Sequence, residues 1–233
     1  MQTLYDHAAV RVELHERSVQ MRAEGPHGCV SHAPFGGALR AARTIAIHET
    51  RNDELTLEVD AVALLASRMA EVDPRGVGMW TSRRVDSAVV VACEAEAGAD
   101  HAGVRAVALV TAGLSNAVRV GDTPGPLAGW GTINIACHVS VPLTPAALVE
   151  ALSIAVEART TAVLEARVRS RRSDSVASGT GTDCVAVMAP EGAAERTAAL
   201  YAGKHTAIGH VVGDAVLRAC ATAIAAWKRE VLG

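Results

Sequence analysis

Aromatic side chains are scarce: 233 residues include one Phe, two Tyr and three Trp. Stacking platforms for nucleic-acid bases are therefore missing, and the net charge of -3 leaves no basic footprint for a phosphate backbone. A nucleic-acid partner is excluded on both counts. With so few rings, Ala and Val must fill the core, which then depends on close backbone approach. The start "MQTLYDHAAVRVELHERS" lacks a cationic segment followed by an apolar one, and no run reads as membrane-spanning. The expected location is the cytoplasm, with no membrane partner. Cys29, Cys93, Cys137, Cys184 and Cys220 are odd in number and lack CxxC spacing, which fits neither a disulfide framework nor a zinc site. His205 and His210 stand five apart and no HExxH occurs, so no metal is expected. Linkers, repeats and low-complexity tracts are also missing, and residues 1–233 read as one domain.

What is present begins with alternation. "VRVEL", "SVQMRA" and "RTIAIHE" read as strands, with the Gly-Gly loop "SHAPFGGAL" between the second and the third. "DAVALLASRMAEV" reads as a helix capped by Asp60 and ending near Pro74. Three further strands follow in "GVGMWTS", "SAVVVACEA" and "RAVALVTAG". The Gly/Pro-rich "AGLSNAVRVGDTPGPLAGW" is long for a connection and reads as a functional loop or a partly ordered flap. In "GTINIACHVSV", Ile133, Ile135, Cys137, Val139 and Val141 alternate with Thr132, Asn134, Ala136, His138 and Ser140. That pattern predicts a half-buried strand whose polar face meets water or lines a cleft.

Thr144 and Pro145 open a helix in "LTPAALVEALSIAVEARTTAVLEARV". Its predicted apolar stripe runs through Leu148, Leu152, Ala155, Val156, Val163 and Ala166, with Arg159 inside it. A buried guanidinium needs a partner. Asp183 can be one, whereas Glu157, two positions away, points nearly opposite. A last helix spans about His205 to Leu232, with Gly209 and Gly213 on one face. Strands followed by two long helices predict an α+β class: mostly antiparallel sheets packed against long helices in a layered sandwich.

The loop "SGTGTDCVAV" precedes a strand and has no Gly-Lys-Ser/Thr, so it is not a phosphate cradle. It remains either a tight turn or part of a site. "GTIN", "LTPAALVEALSIAVEART", "ASGTGTDCVAV" and "YAGKHTAIGHVVGDAV" resemble, in this order, the motifs of adenosylcobinamide amidohydrolases, with weaker echoes in "SHAPFGGAL" and "GVGMWTS". The resemblance implies hydrolysis of the amide joining the aminopropanol arm to the corrin ring, giving adenosylcobyric acid and 1-amino-2-propanol in corrinoid salvage. The corrinoid is then the substrate and no separate cofactor is expected. A homo-oligomer is left open.

Amide hydrolysis needs an attacking oxygen, oxyanion donors and an acid for the amine. On this reading Asp183 orients a base or water and His205 at the predicted helix start is the general acid/base; the attacking oxygen is either water or, as the candidate side-chain nucleophile, that of Thr132. Gly179, Thr180, Gly181, Thr182, Asn134, Glu157, Arg159, Lys204 and Thr206 are the expected substrate-binding residues. Two departures stand out. The family's Thr-Glu-Ala-Lys is Val156-Glu157-Ala158-Arg159 here, and Gly36-Gly37-Ala38 has Ala where a third glycine is common. Arg cannot act as a neutral amine base, which leaves position 159 an anchoring or oxyanion role. Two rivals are a corrinoid-binding protein without chemistry and a Thr-nucleophile acyl-transfer enzyme. The second rests on a fainter similarity to ornithine acetyltransferases, which cleave themselves before a threonine.

Overall fold

Period-two alternation at the N-terminus builds a meander, and the helical periodicities later in the chain cover it and its partner sheet. The computed structural model describes residues 1–232 except 8, 52, 57, 97–99, 127–128 and 193–197. In chain order the strands are β1 (Gln2–His7), β2 (Val10–Leu14), β3 (Ser18–Ala23), β4 (His27–Ser31), β5 (Ala38–Ala41), β6 (Thr44–Glu49), β7 (Val77–Thr81), β8 (Val89–Glu94), β9 (Arg105–Ala112), β10 (Ala117–Val118), β11 (Ile133–Val139), β12 (Gly179–Thr180) and β13 (Cys184–Pro190). The helices are α1 (Ala61–Val72), α2 (Pro145–Glu165) and α3 (Ala207–Leu232).

One sheet has the order β1-β2-β3-β6-β7, and a second the order β5-β4-β13-β11-β9-β8. Pairing is antiparallel except β6 with β7 and β11 with β13, which are parallel. Each parallel pair is joined through a helix, α1 for the first and α2 for the second, as parallel strands require. The result is a four-layer α+β sandwich. Leu65 and Met69 of α1 pack on the five-stranded sheet. Met21, Ile45, Ile47 and Met79 meet Leu109, Ala136 and Met188 between the two sheets. Ile133, Ile135 and Val187 face Ile154, Ala155, Val212 and Ala219 of α2 and α3 on the far side.

This layering corrects the expectation for β11. Its seven residues are all buried, because α2 and α3 cover one face and the other sheet covers the second. Along the strand itself the polar face meets neither water nor a cleft, since Asn134 is bonded within the interior and His138 contacts His27; at its two ends it does, with Thr132 on a cavity and Ser140 exposed. On α2, Thr144 caps the helix by accepting from Ala147 N, as expected. The buried face is rotated from the predicted stripe, however. Ala151, Ile154, Ala158 and Ala162 are buried, while Leu152, Val156 and Ala166 are partly exposed. Small alanines lie where α3 comes close. α3 also meets the length and composition of a membrane-crossing helix, contrary to the expectation that no segment would. Its apolar side is spent against α2 and the six-stranded sheet. The cysteines are all free thiols, with Cys29, Cys137 and Cys220 in the core and Cys93 and Cys184 half-buried.

Candidate active site

Strand β11 begins beside the start of β13, and the parallel register sets Asn134 against Cys184. The residues just before each strand, Thr132 and Asp183, therefore meet at one end of the sheet. Asp183 ties that end together. Its Oδ1 accepts from Ile133 N at 2.9 Å and from Thr180 Oγ1, and its Oδ2 accepts from Thr180 N at 2.9 Å and from Arg159 Nη1. Both members of the ion pair are nearly buried, at 7% side-chain exposure for Asp183 and 13% for Arg159. Gly179 makes this closure feasible: a Cβ there would lie 2.4 Å from Asp183 Oδ2 and 2.5 Å from Arg159 Nη1. The predicted partnership of Arg159 with Asp183 is what is observed.

Two threonines lock the adjoining backbone. Thr132 Oγ1 donates to Thr182 O at 2.8 Å, and Thr182 Oγ1 donates to Gly131 O at 2.9 Å. A cavity of about 410 Å³ opens in front of them. Gly131, Thr132, Thr182 and Asp183 form its polar end, and Trp80, Trp130, Leu55 and Pro34 supply apolar wall. Two of the three tryptophans in this ring-poor chain thus line one cavity. Asn134 is fully buried and lies behind the wall, where its Nδ2 donates to Trp80 O at 2.8 Å. Trp80 Nε1 donates to Ala61 O at 2.9 Å, which pins the indole from its other end. Cys184 also lines the cavity, but burial, with the Asp183 charge, pushes its thiol up to about 11, far from a thiolate at neutral pH.

His32 stands on the same cavity wall, and its Nε2 lies 3.1 Å from Asp183 O. A carbonyl oxygen only accepts, so Nε2 carries the proton of this bond, and in the neutral ring Nδ1 is then the acceptor. His32 was absent from the expected site, as were Trp80 and Trp130. The first two lie within "SHAPFGGAL" and "GVGMWTS", the two weaker echoes, which were the available signal.

The remaining expected residues are elsewhere. Ala207, the first residue of α3, donates its N–H to Asp100 Oδ1 in the β8–β9 connection, at the other end of the six-stranded sheet. The seven residues of β11 separate the two ends by about 20 Å. Lys204, His205 and Thr206 precede Ala207 and share its end. Lys204 pairs with exposed Glu157 on the outer side of α2, and Thr206 Oγ1 accepts from Gly209 N at 3.0 Å. Exposed His205 is thus outside the cavity, as are Lys204, Thr206 and Glu157. Gly181 faces open space beside a second, smaller cavity of about 200 Å³, shared with Asn116 and Arg171 of the surrounding loops. The long loop expected to be functional contributes to both cavities; its residues 127–128 lie outside those described. Among the described residues no three His, Cys, Asp or Glu side chains converge to hold a metal ion.

A Burkholderia sp. β-aminopeptidase has a similar structure, with 16% identity over 95% of this chain and 82% of that chain at a TM-score of 0.49. The L-aminopeptidase D-Ala-esterase/amidase of Ochrobactrum anthropi gives 11% identity, 94% and 83% coverage, and a TM-score of 0.43. Among curated sequences, an uncharacterised protein of Methanocaldococcus jannaschii is 31% identical over 51% of this chain and 52% of its own length. The chain therefore spans about half the length of the curated relative it matches. The adenosylcobinamide amidohydrolase (CbiZ) family model matches residues 1–231, which takes in β11, α2, the glycine turn and the cavity they frame. The chain belongs to the adenosylcobinamide amidohydrolase family.

Proposed function

We propose that this chain hydrolyses the amide linking the aminopropanol arm to the corrin ring of adenosylcobinamide, releasing 1-amino-2-propanol and adenosylcobyric acid for corrinoid salvage. The observation that carries the reading is the composition of one cavity, with indole walls ending in a cluster of threonine hydroxyls and a clamped carboxylate. A corrin is a broad apolar ring fringed by amides. Its edge can rest on Trp80 and on Trp130, which is 47% exposed at the mouth, while one arm reaches Thr132. Ring faces of this kind supply binding energy, and the polar end supplies orientation. Arg159 holds Asp183, and Asp183 fixes the turn at Thr180 and the start of β11 at Ile133. In this reading these residues position the scissile amide and Thr132 together with Thr182 contacts it. Cytoplasmic action fits the free thiols.

The test is incubation with adenosylcobinamide, followed by mass spectrometry for the free amino alcohol and the corrinoid acid. Binding without either product would leave a corrinoid-binding protein and end the hydrolase reading. The position of Thr132 on the cavity wall favours one second reading, acyl transfer through its hydroxyl. Intact-mass measurement during turnover distinguishes the two: an acyl adduct on Thr132 supports transfer through the side chain, and unmodified protein supports direct attack by water.

A further inference from the structure

We propose that His32 is the acid–base catalyst of this cavity, taking a proton from the attacking water and giving it to the leaving nitrogen. The inference rests on the hydrolase reading above. An alkylamine cannot depart from a tetrahedral intermediate as its anion, so some group must protonate the nitrogen. The titratable and charged side chains lining the cavity are His32, Arg51, Asp183 and Cys184, and Arg40 approaches the His32 loop from the neighbouring strand β5. A guanidinium holds its proton too tightly to transfer it at neutral pH. The carboxylate of Asp183 has both oxygens occupied by four donors. The Cys184 thiol is pushed up to about 11. Hydroxyls of Ser and Thr are weaker acids still. Imidazole is the side chain suited to exchange a proton in both directions near neutrality.

Geometry supports the same choice. The bond to Asp183 O engages Nε2–H and leaves Nδ1 as the base. The loop carrying His32 is built to hold it there. Ser31 Oγ donates to Val185 O at 2.9 Å and accepts from Ala33 N at 3.0 Å, which fastens both flanks of His32 to β13. Gly36 has φ +69°, and a Cβ on it would lie 2.3 Å from Gly76 O. A Cβ on Gly37 would lie 2.4 Å from Ala33 O. The glycine pair thus lets the loop fold back tightly on the residue next to His32.

The step balances as follows. Water oxygen bonds to the amide carbon as Nδ1 of His32 takes one of its protons. The carbon–nitrogen bond then breaks as the imidazolium returns that proton to nitrogen, leaving a carboxylic acid and an amine. The acid subsequently loses its proton to solvent. His32 ends as it began.

The experiment compares full-length wild type, His32→Ala and His32→Gln on adenosylcobinamide across pH 5 to 9, with and without added imidazole. The expected result is a fall in kcat of about 10²–10⁴-fold with KM little changed. The variants should also lose one limb of the pH–rate profile, and imidazole should partly restore His32→Ala. Unchanged thermal melting and corrinoid quenching of tryptophan fluorescence would confirm that the variants fold and bind. Wild-type turnover in both variants, or a uniform loss that imidazole does not restore and that leaves the pH profile intact, would overturn the role while sparing the hydrolase reading. A wild-type protein that binds adenosylcobinamide but releases no amine would remove that reading and the role of His32 with it.

Discussion

Ala38 has a φ of 116°, a backbone region in which a Cβ is crowded and glycine is at ease. It occupies the position where the family commonly has a third glycine, and it pairs with Ser31 at the base of the loop that carries His32. Strain of this kind costs roughly 1–3 kcal/mol, and the added chain entropy of glycine offsets about 0.5–1 kcal/mol of any relief. Ala38→Gly should therefore stabilise the protein by about 1 kcal/mol, seen as a rise of roughly 2–4 °C in the thermal midpoint. An unchanged or lower midpoint would show that the loop accommodates the alanine without strain. Arg159 presents the opposite case. Arg159→Met would leave Asp183 buried without its cation, at a cost of about 3–5 kcal/mol. Arg159→Lys, which restores the family's usual residue, should lose less than half as much in urea unfolding, because the charge stays while the planar fork is lost. Equal losses for the two would mean that packing, rather than charge, sets the role of position 159.

Helix α3 shows how one small residue fixes the contact of an element with its neighbours. A Cβ on Gly209 would lie 2.1 Å from Gly203 O and 2.6 Å from Ala202 O, whereas one on Gly213 would meet Ile154 Cγ2 at an ordinary 3.5 Å. Gly209→Ala should destabilise by about 1–3 kcal/mol, as overpacking does, while Gly213→Ala should be neutral or slightly stabilising through helix propensity. Chemical unfolding of the two variants checks this, and equal effects would contradict it. The sequence made these glycines visible as one face, but not which of them is in backbone contact. Legibility elsewhere followed the same line. Alternation revealed β2, β3 and β6, caps revealed α1 and α2, and the misfit of Arg159 in an apolar stripe pointed to Asp183. Strands β4 and β5, "HGCVS" and "ALRA", carry no alternation, because β4 is buried on both faces and β5 is a short exposed edge. His32 was hidden with them. His205 lies outside the cavity for a topological reason. Asp183 precedes β13, so whatever follows that strand starts at the end it runs towards, away from Asp183. A favourable helix-start environment says nothing about which end of the sheet it occupies. His205→Ala should accordingly change turnover by less than about twofold, well below the 10²–10⁴-fold typical of an acid–base residue.

At the scale of the whole molecule, the interface between the sheets makes stability depend on acid. His138 of β11 is 3% exposed, and its Nε2 lies 3.2 Å from Nε2 of His27 on the adjacent part of the same sheet. Burial, aided by His27, pushes its imidazole down from 6.5 to about 3, and burial also lowers His27. His48, 6% exposed beside Trp80, is pushed down to about 4 by burial and by Arg68. Between these values and 6.5 the unfolded chain binds protons that the folded one does not, so stability is full above pH 6.5 and falls as the pH drops. At pH 5 the loss is about 2 kcal/mol for each of His138 and His48, a sizeable share of the roughly 5–15 kcal/mol that holds a protein folded. The Glu54 carboxyl, held down to about 2 chiefly by Arg17, gives up its share only at lower pH. Urea unfolding at pH 7 and pH 5 should show the decline. In His138→Gln, whose amide can still reach His27, the decline should shrink by about 2 kcal/mol. If the variant loses as much stability as the wild type between the two pH values, the buried imidazole of β11 is not the acid-sensitive element. Thr132, which lines the cavity, directly precedes β11 and stands six residues from His138, so the same protonation that loosens the sheet interface acts on the strand that frames this end of the cavity.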